Sequence, residues 1–155
     1  MKLGDVLRKE RERRKLSVEE VASRLALTAD EYNEMETGNS PLEEWGPQLG
    51  RVAIKLGTPT SRLISEAGKS ADAGQVAGQC GMLIRHHRER RGFGQSELAE
   101  MLEVPVAKIV SIENGESPLE TYGPLLLRVA EVLEQPVFNL LYPCGLPLEK
   151  LNDYP

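Results

Sequence analysis

Apolar residues recur along this chain at helical intervals, in short runs closed by glycines, and the same order of runs occurs twice. Leu3, Val6 and Leu7 share one face of a helix predicted over residues 3–15, and its second half, RKERERRK, is solvated. Ser17 stands three residues before Glu20, a capping box for a second helix with Val21, Ala22 and Leu25 as its buried stripe. Thr28 and Glu31 repeat that signature ahead of a third helix, in which Tyr32 and Met35 face inward and Gly38 supplies the left-handed cap. A fourth helix carries Leu49, Val52, Ala53 and Leu56 and stops at Gly57. Its start is expected at Gly46-Pro47, with a separate turn before it, because an interior proline removes a donor and disfavours a helical residue before it. Residues 60–66 form a last short helix.

The segment ETGNSPLEEWGP, residues 36–47, returns as ENGESPLETYGP, residues 113–124. A gapless shift of 77 residues aligns about 23 of 58 positions over residues 7–64 as identities, a duplication beyond chance. Each copy is small enough to be marginal alone, so packing of the copies, or of two chains, is expected. The division is residues 1–66 for the first copy, a small-residue flexible linker over 67–79, the second copy over 80–142 and a tail over 143–155. In the second copy the helices are expected around Met82 to Arg91, at QSELAEML, at PVAKIVSIENG, up to about Glu134-Gln135, and over residues 137–141. The tail carries Leu146, Leu148, Leu151 and Tyr154, apolar enough to dock on the chain's own fold or on a partner.

Charge narrows the function classes. The net charge of -5 opposes nonspecific clinging to nucleic acid. Residues 1–66 hold 11 basic and 12 acidic side chains and residues 80–155 hold 7 and 11, so DNA binding requires a local patch. Two cysteines, Cys80 and Cys144, fit a reducing compartment, and no run is apolar enough for a membrane span or a signal peptide; the chain reads as cytoplasmic. With His86 and His87 the cysteines match no zinc spacing, and no metal or cofactor is expected. No nucleophile with a base, carboxylate dyad or phosphate loop points to an enzyme.

Five short helices with a tight turn between the second and third, together with particular residues, resemble the lambda-repressor-like, or XRE, helix-turn-helix family. The second copy carries the pattern as Arg88, Gln95, Leu98-Ala99, Ile109, Glu113-Asn114-Gly115 and Pro118-Leu119. The first carries it as Arg11, Val18 in place of the usual Gln, Val21-Ala22, Tyr32, Glu36-Thr37-Gly38 and Pro41-Leu42. The resemblance implies an all-α chain of two tandem five-helix domains, with Arg11–Glu36 and Arg88–Glu113 as structural ion pairs.

It also implies where double-stranded DNA is read. Base contacts come from the start of the third helix and one turn later, and phosphate contacts from the second helix. In the second copy this selects Gln95, Ser96, Val106, Ala107, Lys108 and Ser111, with Arg90 and Arg91 beside the groove. The first copy offers Ala29, Asp30, Glu31, Asn33 and Glu34, whose carboxylates repel phosphate. The expectation is a transcriptional regulator in which the second copy reads DNA and the first, a degenerate unit, serves dimerisation or regulation. A homodimer or an intramolecular pseudo-dimer follows. The alternative is an adaptor whose acidic third helix in the first copy, or whose tail, binds protein.

Overall fold

The computed structural model describes residues 2–57, 63 and 79–146, and among them the chain is helical without strands. The first half consists of α1 (Leu3–Arg13), α2 (Val18–Arg24), α3 (Ala29–Thr37) and α4 (Leu42–Leu56). The second consists of α5 (Gln79–Arg90), α6 (Gln95–Leu102), α7 (Val106–Glu113), α8 (Leu119–Val132) and α9 (Val137–Leu141), followed by a 3-10 turn at Tyr142–Cys144. The helix expected over residues 60–66 lies outside the described residues apart from Leu63, which is helical and buried. The linker lies outside them too, except that Gln79 already belongs to α5.

The caps form as the sequence dictates. Ser17 Oγ and Thr28 Oγ1 accept from the amides of Glu20 and Glu31, whose carboxylates accept the Ser17 and Thr28 amides in return. Gly38 and Gly57 close α3 and α4 in the left-handed conformation. Each left-handed residue before Gly145 has its counterpart 77 positions away: Lys15 with Gly92, Ala26 with Glu103, Gly38 with Gly115, Gly57 with Glu134. The backbone path therefore repeats even where one copy has dispensed with glycine. At Lys15, Ala26, Glu103 and Glu134 the surrounding structure holds a side chain in a conformation it would not choose alone.

The fourth helix departs from the sequence expectation. It starts at Leu42 in the first half and at Leu119 in the second, several residues before Gly-Pro, so Pro47 and Pro124 are interior. The proline deprives the Glu43 or Glu120 carbonyl of an i+4 donor. The preceding Gly46 or Gly123 has no Cβ to collide with the proline ring, so helical geometry survives there. The same Gly46 admits Leu3, whose Cδ2 would lie 2.8 Å from a Cβ at that position.

That early start has a use. The Glu43 carboxylate accepts the Leu3 and Gly4 amides, both at 2.9 Å, and the Glu120 carboxylate accepts those of Cys80 and Gly81 at 2.9 and 2.7 Å. Each glutamate satisfies two orphan donors of the first helix of its half and places a negative charge at the positive end of the dipole. Gly4 and Gly81 let those helix ends approach the end of the third helix: a Cβ would stand 2.5 Å from the Glu36 carbonyl oxygen in the first half and 1.9 Å from that of Ile112 in the second.

One hydrophobic core runs through both halves. The fourth helices α4 and α8 pack against each other, and α4 also meets α6, so each half covers apolar surface of the other. Arg14 bonds the Glu134 side chain and carbonyl, and Arg91 bonds the carbonyls of Leu56 and Gly57, the equivalent place in the first half. Leu146 is buried against Gly50 of α4, which docks this part of the tail within the chain. Leu148, Leu151 and Tyr154 lie outside the described residues.

Candidate nucleic-acid interface

The helix pairs at equivalent places in the two halves are α2–α3 and α6–α7. In the first, Leu25 caps α2, Ala26 turns the chain with φ 59°, and Thr28 caps α3. In the second, Glu103 turns the chain with φ 57° and Pro105 precedes the first residue of α7, its fixed φ suiting a helix start. Val21, Ala22, Tyr32 and Met35 hold the first pair on the core, and Leu98, Ala99, Ile109 and Ile112 hold the second.

A buried ion pair fixes each pair of helices to the first helix of its half. Arg11 Nε lies 2.6 Å from Glu36 Oε2, and its second bond to that carboxylate is 3.1 Å; Arg88 holds Glu113 at 2.6 and 2.9 Å. The same guanidinium donates to the carbonyl of the residue that closes the loop, Leu16 in the first half and Phe93 in the second. The bond to glutamate raises both arginine pKa values above the ordinary range against the cost of desolvation, so both stay charged. Tyr32, buried first and next to the Glu36 carboxylate, has its phenol pushed far above its usual range.

The candidate residues do not share one environment. Gln95 opens α6, and its amide nitrogen donates to Glu113 Oε1 at 3.0 Å, making a third bond to the carboxylate that Arg88 holds. One amide hydrogen of Gln95 is thereby committed inward, and its contribution is to lock α6 onto α7. Val18 cannot repeat this in the first half. Lys108 leans onto the first half: its Nζ is 3.5 Å from Glu44 Oε2 and 5.0 Å from the centre of the Trp45 ring, an ion pair combined with a cation–π contact. Arg91, expected beside the groove, donates to the carbonyls of Leu56 and Gly57 at the end of α4. Arg90, Ser96, Val106 and Ala107 are exposed and Ser111 half-exposed. Val106 is 44% exposed.

The third helices differ in charge. On α3, Asp30, Glu31, Asn33 and Glu34 are exposed and Ala29 is half-exposed, so the outer face is acidic. On α7 the single carboxylate, Glu113, is buried and paired, so the outer face is neutral, with Lys108 at its edge. The residues that sequence reasoning missed as partners are Glu44 and Trp45, which sit in the fourth helix of the other half. Nothing in the repeat pattern links them to Lys108, because Glu31 occupies the equivalent place in the first copy.

Cys80 and Cys144 are free thiols. Burial, and then the Glu120 carboxylate, raise the Cys80 pKa well above the ordinary thiol range, so it stays protonated, with Sγ 3.6 Å from the Leu63 carbonyl oxygen. The rings of His86 and His87 meet edge to face at 5.6 Å. Among the described residues no group of His, Cys, Asp and Glu is placed to hold a metal, and no helix is long and apolar enough to cross a membrane.

Residues 2–61 match the family model of a helix-turn-helix domain. The match falls on the first half, the copy in which Val18 replaces the usual Gln. No curated protein and no solved structure matches the chain.

Proposed function

We propose that the chain is an XRE-type transcriptional regulator in which two tandem helix-turn-helix units form an intramolecular pseudo-dimer, and the second unit reads double-stranded DNA. The observation that carries this reading is the charge contrast between the third helices. A helix entering a phosphate-lined groove must not bring carboxylates, and α7 exposes none while α3 exposes Asp30, Glu31 and Glu34. Val106 and Ala107 can touch a thymine methyl, Ser96 and Ser111 a base edge or phosphate, and Arg90 the backbone. Lys108 adds charge at the groove edge if DNA outcompetes Glu44 for its ammonium, and the weak, 3.5 Å ion pair costs little to exchange. The first unit then serves regulation or the dimer contact.

A second reading has its own observation. Arg91 and Lys108 both turn toward the first half, and the most exposed third helix is acidic, which suits a basic protein surface better than DNA. Selection of genomic fragments by the purified protein at moderate and high salt separates the two. A regulator enriches a few sites and loses them at high salt, whereas an adaptor enriches none at either. On a selected site, Lys108→Glu and Gln95→Ala weaken binding and Glu34→Ala does not; equal loss in all three overturns the division of labour.

A further inference from the structure

The contacts between the halves include one equivalent pair, those of Arg14 and Arg91, and others that only one half makes. On one side, Arg128 of α8 donates from Nη2 to the carbonyl of Leu25 at the end of α2. Seventy-seven residues earlier its counterpart is Arg51 of α4, and the counterpart of Leu25 is Leu102 at the end of α6. Arg51 does not make that bond. Its Nη1 donates to Gln48 Oε1 at 3.2 Å, whereas Arg128 has Leu125 at the matching place and so no side-chain acceptor one turn back. Where the missing contact would close the halves there is instead a cavity of about 310 Å³.

We propose that this cavity binds a small amphipathic monocarboxylate. Its size is at the lower end for small-molecule sites. Arg51 and Lys55 lie one helical turn apart on α4, both exposed and without an ion-pair partner among the described residues, and both line the cavity. A carboxylate between them gains two charge-assisted hydrogen bonds. Ile54, Met101 and Leu102 supply the apolar wall, and Leu146 closes one side. Glu103 stands on the same lining and repels a second negative charge, which selects a monocarboxylate over a dicarboxylate or a phosphate ester. The ligand bridges α4 of one half and α6 of the other, so it takes over the closing role that Arg128 performs on the opposite side. The site does not depend on what α7 contacts.

Isothermal titration of the full chain with octanoate tests this, with octanamide and succinate as comparison ligands. Octanoate binds saturably at one site per chain, and octanamide and succinate bind at least about tenfold more weakly. Arg51→Gln and Lys55→Gln each weaken octanoate about tenfold. Lys9→Gln, which removes a cation from α1 away from the cavity, leaves it unchanged. Urea midpoints of the variants establish that each is folded. Absence of saturable binding, several molecules per chain, or equal affinity in wild type and Arg51→Gln overturns the proposal.

Discussion

Arg14 and Glu134 meet across the boundary between the halves: Nη1 lies 2.6 Å from Oε2, and Nη2 donates to the Glu134 carbonyl at 3.1 Å. Arg91, 77 residues on from Arg14, donates to the carbonyl of Gly57, which is 77 residues before Glu134, at 2.9 Å. The two contacts are thus reciprocal between the halves. Both acceptor residues are left-handed, and that turn presents the carbonyl that the arginine takes.

Because the backbone carbonyl is the acceptor common to both sides, Arg14→Ala should lower stability by about 1 kcal/mol, and Glu134→Gln by less. The Glu134 side chain is 72% exposed, so its charge is well screened. Urea unfolding of the two variants checks the order. A larger loss for Glu134→Gln would make the carboxylate, and not the carbonyl, the principal partner.

Breaking the second-half ion pair should be far more costly. Arg88→Ala leaves Glu113, which is 5% exposed, without its main partner and should cost about 3–5 kcal/mol. Arg11→Ala should cost less, since Arg11 keeps more solvent contact than Arg88. Joint replacement, Arg88→Met with Glu113→Leu, should restore much of the loss in thermal unfolding. A double variant as unstable as Arg88→Ala alone would mean that the geometry of the pair, and not the orphaned charge, sets the cost.

Gly81→Ala puts a Cβ 1.9 Å from the Ile112 carbonyl oxygen, forcing α5 away from α7 and costing at least about 3 kcal/mol. Gly92→Ala meets nothing within 4 Å and bears only the left-handed backbone, about 1 kcal/mol. Lys15 already tolerates that conformation in the first half. Comparable melting points for the two variants would refute the close approach.

The buried Cys80 thiol makes stability fall at alkaline pH. Its folded pKa is raised above the ordinary thiol value of 9.0, so the folded state holds the proton longer than the unfolded one. The contribution is complete below pH 9.0 and is lost as pH rises beyond it. Cys80→Ala should flatten the decline of urea midpoint above that pH, and Tyr32→Phe should flatten it further above pH 10.0. Parallel curves for wild type and Cys80→Ala would contradict the assignment.

Features that depend on neighbours along the chain are legible in the residues alone. The capping boxes at Ser17 and Thr28, the left-handed stop at Gly38 and the apolar stripes of α2, α3, α6 and α7 are local, and spacing reveals them. The duplication made the common backbone path legible as well. Gly46-Pro47 misled because proline's cost in a helix is local, while the compensation is not: the early turn is held by Pro41 and Ser40 and by the use of Glu43 as a cap for α1. Identical glutamates at positions 43 and 120 were visible in the repeat, but a repeated residue does not name its partner 40 positions away. Long-range packing sets how the copies face each other. It turned Lys108 onto Trp45, committed Gln95 to Glu113, drew Arg91 to the end of α4, and left Arg51 with Gln48 beside an open cavity. Those outcomes rest on long side chains choosing among acceptors that packing brings within reach, a choice that no periodicity along the chain encodes.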